Sequence, residues 1–454
     1  MAERSPSRRI VIIGGGAAGI GAAGAARGTD RDAEITVYTE YEDAAYSPCG
    51  IPYVHGGEIP DFERLFLGTK QQYADQGVDI RYQTAVQAID PRGRNVRVGN
   101  GPPVPYDALV IAAGWDYGKP EVPGTDLAGI YYMKNIREAM RWHEVLEGVR
   151  RAVVLEAQPL GMEMVTALCH RGIETHLVDP SPWALSMATD PDIVAPVQES
   201  WEEMGARLHF NTKLEAVLGD ESGRVRGVAT TDGEIACDLV VVCTHKVPRT
   251  DLGAAAGLAV GSAGGFVVDE TMATSVAGIW AAGDCNEIPH GVSHVPIQGL
   301  SGSHAYAQGK VAGSNAAGGK RVYQPVYVPW GMVAGKWMIG GVAFGETLAN
   351  ALGIPHVVGV AEGVSRNRYY PDNKTLRIKL LADPGSLRLI GAQMVGGQGI
   401  KERSDFLAMA VKSGATLTDL ANLDFAYSPP IGALGEPIVL AAQNALAGLA
   451  GKGG

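Results

Sequence analysis

The chain has 454 residues, enough for two or three domains with a large buried core. Its 49 acidic against 38 basic residues give a formal net charge of −11, and no basic run or basic aromatic stripe is present, which excludes nucleic acid as an expected partner. Its five cysteines, Cys49, Cys169, Cys237, Cys243 and Cys285, show no C-x-x-C spacing, which fits a reducing cytoplasm better than a disulfide framework and suggests no metal site.

The segment Met1 to Arg9 is polar and basic, and the apolar residues after it stop at Gly14, so no signal-peptide core is expected. No apolar run approaches the ~20 residues needed to cross a bilayer, and a cytoplasmic protein without a membrane partner is expected. Ile10 to Ile13 form an apolar strand that runs into Gly14-x-Gly16-x-x-Gly19 and an alanine-rich helix, the context in which that spacing marks a dinucleotide-binding turn. Gly14 allows the tight turn, Gly16 lets backbone approach a pyrophosphate, and Gly19 lets helix pack on strand, while the helix start offers amides to phosphate. A second strand, Ile35 to Tyr38, should end in an acid that binds a ribose; Thr39 fills the usual place and Glu40 comes one later.

Next comes Tyr46-Ser47-Pro48-Cys49-Gly50-Ile51-Pro52-Tyr53, where a helix is expected to open. A helix N-terminus there would lower the pKa of the Cys49 thiol and raise its thiolate fraction. Further marks follow in order: the strand ending Ala112-Ala113-Gly114, then Pro123-Gly124, and much later an apolar strand ending Gly283-Asp284.

With these marks in sequence, the chain resembles the pyridine nucleotide-disulfide oxidoreductases, within them the single-cysteine branch of coenzyme A-disulfide reductases and NADH oxidases, and it does so over nearly its whole length. The resemblance implies an α/β protein with two Rossmann-like nucleotide-binding units and a C-terminal α+β dimerisation domain. An FAD domain is expected over 1–113 and 251–325, a degenerate NAD(P)-type domain over 114–250, and the interface domain over 326–454. It implies FAD as cofactor, held by Gly14, Gly16, Gly19, Glu40, Ser47, Ala113, Gly114, Asp284 on the ribityl chain, and Ala305 near the start of a helix at Gly302 to Lys310. Cys49 is then the residue that exchanges electrons with the flavin. Members with two redox cysteines need C-x4-C, whereas Cys49 plus five is Val54, and no His-Pro dipeptide stands near the C-terminus. Oxygen- and peroxide-reducing members carry a histidine where this chain has Ala17, so the disulfide-reductase side is favoured.

The second unit departs from that pattern. After the strand Ala152 to Leu155, Glu156 and Gln158 stand in place of the first two glycines and Gly161 alone is kept. A carboxylate beside phosphates costs ~4 kcal/mol for one pair of unit charges at about 4 Å and an effective dielectric of ~20. His245 replaces a glycine in the later loop, while the strand Glu174 to Val178 still leads to an acid, Asp179, suited to a ribose diol. Loss or alteration of the NAD(P)H site is therefore expected. His290, His294 and His304 are expected on a loop near the flavin; their spacings fit no common metal motif.

From 326 onward, β-like runs at Lys336 to Val342, Leu376 to Leu381 and Leu387 to Met394 precede helical runs at Lys401 to Ser413 and Ile438 to Leu449, and Gly451 to Gly454 read as unstructured. The resemblance implies a homodimer in which Tyr427, in Tyr427-Ser428-Pro429-Pro430, and Tyr370, in Tyr369-Tyr370-Pro371, reach the partner's cysteine and donate a proton or hydrogen bond to a leaving thiolate. The implied activity is thiol/disulfide oxidoreduction through a mixed disulfide of Cys49 with a small thiol, coenzyme A being the implied one. That branch places an Arg-Arg pair at the end of the first helix, where this chain has Arg27-Gly28. An NADH oxidase, a polysulfide reductase, and a flavoprotein working with a protein electron donor are the alternatives.

Overall fold

The computed structural model describes residues 7–299 and 301–450. Two compact units are formed, the first from Met1–Ile51, Pro60–Gly118 and Lys246–Val326, the second from Pro52–Ile59, Lys119–His245 and Tyr327–Gly454. The terminal Gly451 to Gly454, expected to be unstructured, lie outside the described residues.

In the first unit the apolar runs become a five-stranded parallel sheet in the order Val78–Arg81, Glu34–Tyr38, Arg9–Ile13, Ala108–Ile111, Ile279–Ala281. The central strands are apolar from Ile10 to Ile13 and from Ala108 to Ile111 because both faces are covered, whereas the edge strand Val78–Arg81 exposes Asp79 and Arg81. Ile10, Ile12 and Val110 pack against the helices on one face, and Val11, Ile13, Leu109 and Ile111 belong to a second cluster on the other. The helices Ala17–Thr29 and Gly302–Ala316 lie against each other through small residues. A Cβ at Gly309 or Gly313 would run into the carbonyl oxygen of Ala18 or Ala22, so the alanine richness noted in the sequence serves backbone approach rather than helix propensity alone.

Of the three histidines expected on a loop, His304 lies in the helix Gly302–Ala316, and His290 and His294 lie in the connection of a hairpin, with Asn286–Pro289 antiparallel to Pro296–Gln298. Its turn is held by His290, whose Nδ1 accepts the amides of Val292 and Ser293, both at 3.2 Å. Burial, and then the nearby His294, push His290 down to about 4, which keeps that nitrogen available as an acceptor.

The second unit repeats the pattern. Its parallel sheet runs Arg207–His209, Glu174–Val178, Arg151–Leu155, Leu239–Val242, Ile130–Tyr132. The same unit holds a five-stranded antiparallel sheet in the order Trp330–Ala334, Trp337–Ala343, Leu389–Gly396, Thr375–Ala382, Val357–Val364, backed by the helices Ile400–Ser413 and Pro437–Ala450. The three inner strands and both helices coincide with the expected runs to within two residues. The two edge strands were not expected, because Gly331, Gly359 and Gly363 interrupt their apolar pattern. Buried Lys379 joins the parts of this unit, reaching Asp190 at 3.1 Å, Asp192 at 2.7 Å and Glu346 at 3.1 Å, the company that a buried ammonium needs. Among the described residues, no helix is long and apolar enough to cross a membrane.

The close helix contact gives a test of the first unit. Gly313→Val should force Ala17–Thr29 and Gly302–Ala316 apart and destabilise the protein by roughly 1–3 kcal/mol. Thermal unfolding followed by circular dichroism should show a lower midpoint than wild type, and an unchanged midpoint would contradict the packing.

Candidate functional site

The glycine turn of the first unit has the geometry its sequence requires. Gly14 sits at φ +110°, its amide donates to the Tyr38 carbonyl at 2.8 Å, and a Cβ there would strike the Ala112 carbonyl. A Cβ at Gly16, by contrast, would meet nothing within 4 Å. Gly16 caps the Ala17–Thr29 helix without any side-chain cap, so the first amides of the helix face open space. An open cradle with uncommitted amides suits the diphosphate of FAD, and the residues here fit that cofactor.

The cysteine segment is fastened to this turn. The Ala45 amide donates to the Gly15 carbonyl at 2.8 Å, and a Cβ on Gly15 would come within 2.8 Å of the Ala44 methyl. On its other side the segment is anchored by the Ser47 amide on the Leu65 carbonyl at 2.9 Å, and Leu65 occupies the space that a Cβ on Gly50 would need. Cys49 lies in the short 3-10 turn Pro48–Gly50, two residues before the five-residue helix Ile51–His55, so it precedes the α-helix that was expected to open at it. It is the exposed cysteine of the five. Burial pushes up the thiols of Cys169, Cys237, Cys243 and Cys285, Cys285 to about 11 and Cys237 to about 12, which makes them poor nucleophiles.

Asp284 is buried beside Gly283, whose amide donates to Gln308 Oε1 at 2.9 Å, and a Cβ on Gly283 would be 3.3 Å from that of Ala305. Lys246, not foreseen from the sequence, donates to Asp284 Oδ2 at 2.9 Å and lies 4.8 Å from the centre of the Trp115 ring. Ala113 and Gly114 follow the Ala108–Ile111 strand, and the Gly114 carbonyl accepts the Arg249 amide at 3.0 Å. Glu40 is paired with Arg249, which also reaches Asp116 at 3.2 Å, while Thr39 is buried. Burial lowers the pKa of His304, with Asp284 opposing, and its Nδ1 is 2.7 Å from Ser301 Oγ at the start of its helix. Among the described residues, no group of three or more metal-binding side chains is assembled.

In the second unit the same turn is built without the same residues. The Glu156 amide donates to the Val178 carbonyl at 2.9 Å, as Gly14 does to Tyr38, and a Cβ on Gly161 would strike the Glu156 carbonyl, as one on Gly19 would strike that of Gly14. Glu156 therefore holds φ +66°, a left-handed conformation costing a side chain roughly 1–2 kcal/mol. Its carboxylate accepts the His245 amide at 3.1 Å, and His245 Nδ1 is 3.9 Å away, so the two departures seen in the sequence meet in space. Burial raises the Glu156 pKa, His245 opposes that, and Asp179 adds to it. Asp179, the expected ribose acid, is buried; its oxygens accept the amides of Ala157 at 2.6 Å and Ser181 at 2.7 Å. Gln158 caps the Pro159–His170 helix through its backbone, in the conformation that Gly16 has in the first unit.

The tyrosines lie in this unit too. Asn367 Nδ2 donates to Tyr369 Oη at 3.1 Å and to Tyr427 Oη, so Tyr369 is the tyrosine brought together with Tyr427. The expected Tyr370 enters this turn through its backbone: its amide donates to Asn367 O at 2.9 Å and its carbonyl accepts Asn373 Nδ2 at 2.6 Å. Its ring centre is 5.8 Å from that of Tyr369. Two adjacent tyrosines cannot be told apart by spacing alone.

With the geometry given, the chain can be set beside known proteins. A family model described as pyridine nucleotide-disulphide oxidoreductase matches residues 8–309, and one for the dimerisation domain of that family matches residues 331–437. The chain belongs to the pyridine nucleotide-disulphide oxidoreductase family, whose members are flavin-dependent oxidoreductases. It is 33% identical over 451 residues to a protein of Methanocaldococcus jannaschii named NADH oxidase, covering 98% of this chain and 100% of the relative. A Pyrococcus abyssi protein named NAD(P)H sulfur oxidoreductase (CoA-dependent) is 29% identical over 444 residues, 96% of this chain and 98% of the relative. Among solved structures, an NAD-dependent persulfide reductase from A. fulgidus is 31% identical with a TM-score of 0.94, over 98% of this chain and 84% of that one. Membership implies FAD and a pyridine nucleotide as cofactors, and the C-terminal domain is the one through which the family dimerises.

One further carboxyl was not foreseen. Glu163, on the Pro159–His170 helix, accepts the Tyr53 hydroxyl at 3.0 Å. Burial pushes it from 4.5 up to about 7, against the Tyr53 hydrogen bond and with help from Glu58. Because the folded form binds this proton more tightly than the unfolded chain, stability falls as pH rises from about 4.5 to about 7. Urea unfolding of Glu163→Gln should lack this decline, on the order of 3 kcal/mol across the window. Parallel pH profiles for variant and wild type would contradict it.

Proposed function

We propose that the protein reduces a disulfide or persulfide of a small thiol, with coenzyme A as the class that the relatives' names suggest, by way of a mixed disulfide on Cys49. The observation that carries this is the position of one exposed thiol on a segment hydrogen-bonded to the turn that fits the FAD diphosphate. Gly14, Gly16, Gly19, Ser47, Ala113, Gly114, Asp284 and Ala305 would hold FAD, with Glu40 available to its ribose on exchange of its Arg249 partner. Bound FAD supplies the two electrons that the reduction needs.

The chain's own part is thiol chemistry. The Cys49 thiolate attacks one sulfur of the substrate, forming the Cys49–sulfur bond and expelling the other sulfur as a thiolate, which takes up a proton. Two electrons then break the mixed disulfide, returning Cys49 to thiolate and releasing the second small thiol, which also takes one proton. A tyrosine hydroxyl is suited to supply that proton or stabilise the sulfur anion, and Tyr427 with Tyr369 is the pair the fold assembles. The family resemblance implies that Tyr427 and Tyr370 reach the partner's cysteine in the homodimer; we infer that Tyr369 takes the place of Tyr370. The Arg27 guanidinium is taken up by the carbonyls of Gln76, Gly77 and Arg31, so a phosphate-bearing thiol needs other cations.

The source of the electrons follows from the second turn. The Glu156 carboxylate and the Gln158 side chain stand where the first unit has glycines, and both oppose a diphosphate. We infer weak NADH and NADPH binding, and a dithiol or a protein donor as the second electron source. The observation favouring it is the Glu156–His245 contact, which joins the two altered positions.

Two outcomes follow. Cys49→Ser should retain FAD in the yellow, purified protein yet lose reduction of small disulfides, and full turnover in that variant would contradict the role of Cys49. Glu156→Gly with Gln158→Gly should bind NADH or NADPH about tenfold more tightly or better, read by fluorescence titration, since both charge and bulk are removed. Micromolar binding by wild type, unimproved in the variant, would show that the altered turn accepts the dinucleotide as it stands.

A further inference from the structure

Asn367 was singled out neither by motif nor by spacing, yet it lies between the two phenols that the proposed chemistry needs. Its Nδ2 is 3.1 Å from Tyr369 Oη and also hydrogen-bonded to Tyr427 Oη, although these tyrosines are far apart in the chain. The turn that presents it is held independently of its side chain. Its carbonyl accepts the Tyr370 amide at 2.9 Å, Asn373 Nδ2 donates to the Arg368 and Tyr370 carbonyls at 3.1 and 2.6 Å, and Arg366 is paired with Asp372 at 2.9 Å and hydrogen-bonded to Gln398.

We propose that Asn367 is a positioning residue that holds both phenol oxygens and so fixes the direction of their protons, leaving Tyr427 as the outward hydrogen-bond donor to a sulfur anion. An amide nitrogen carries two hydrogens and no acceptor, so both phenol oxygens receive from it. Tyr427 then has its own O–H left to donate, while the Tyr369 hydroxyl engages that of Tyr427. A phenol that instead gave its proton to a neighbouring acceptor would present only lone pairs to a sulfur anion, and those repel it. The arrangement is open to a ligand: Tyr369 is 69% and Tyr427 43% exposed in the single chain. Desolvation, and then the Tyr427 hydroxyl, hold the Tyr369 hydroxyl above its ordinary range, opposed by Asn367, so the phenol is a protonated donor at neutral pH. Of the charged groups in this turn, Arg366 and Asp372 are matched with each other, and Arg368 stands between Asn367 and Tyr369 in the chain.

The inference rests on the disulfide-reductase reading for the identity of the anion, a thiolate released when the mixed disulfide is reduced by two electrons, which bound FAD would supply. The S–S bond breaks, its electron pair stays on the departing sulfur, and the proton comes from a tyrosine that solvent recharges.

Asn367→Asp tests it, because the shape is kept while both donor hydrogens are replaced by acceptor oxygens. The phenol protons should turn inward to the carboxylate. For the FAD-loaded dimer reducing a small disulfide, kcat should fall about tenfold or more with KM changed by less than about twofold, the pattern of an interaction made in the transition state. The ultraviolet absorbance of the Tyr369 and Tyr427 phenolates, assigned with Tyr369→Phe and Tyr427→Phe, should appear at higher pH than in wild type. Wild-type kcat in Asn367→Asp, or a phenolate titration that does not move, overturns the proposal. Failure of the functional reading is seen separately, as absence of small-disulfide turnover by wild type, and the phenolate titration then still decides the placement of Asn367.

Discussion

A single backbone hydrogen bond sets the geometry of the candidate site: the Ala45 amide on the Gly15 carbonyl at 2.8 Å. It joins a turn whose shape is dictated by a strand and a helix to a segment that has little regular structure of its own. The turn is rigid because Gly14 cannot carry a side chain under the Ala112 carbonyl, and the Cys49 segment inherits that rigidity. Leu65 supports the segment from its other side, filling the place of a Gly50 side chain. Cys49 is thus held near a nucleotide turn by the contacts of its neighbours in the segment.

The second unit shows how much of this architecture survives a change of residues. Glu156 keeps the hydrogen bond of Gly14 and a positive φ, at a cost of roughly 1–2 kcal/mol that the turn must offset. Two contacts stabilise it: Asp179 accepting the Ala157 amide, and Glu156 accepting the His245 amide. Both use groups that a nucleotide-binding turn otherwise offers to ligand. A turn completed by its own side chains has less to gain from a diphosphate.

Much of the fold was legible in the sequence because its signals are local. The Ile10 to Gly19 stretch, the Gly283-Asp284 strand end and the apolar runs of the interface sheet each declare themselves within about a dozen residues. The edge strands Trp330–Ala334 and Val357–Val364 did not, since glycines break their alternation. Candidate site residues could be named from the sequence where a motif carries them, as at Cys49 and Tyr427. They were not where the contact joins distant segments: Lys246 with Asp284, Tyr53 with Glu163, and Asn367 with Tyr427 have no spacing that could announce them. The choice between Tyr369 and Tyr370 shows the same limit, because one residue along an irregular turn changes which hydroxyl meets its partner.

The central claim is that Cys49 forms a mixed disulfide with a small thiol, and mass spectrometry of the intact, oxidised protein tests it most directly. After incubation with coenzyme A disulfide or another small disulfide, the account predicts a gain of one thiol per chain, carried by the Cys49 peptide and removed by dithiothreitol. A chain that gains no adduct at Cys49, or gains it equally at Cys169, would contradict the account.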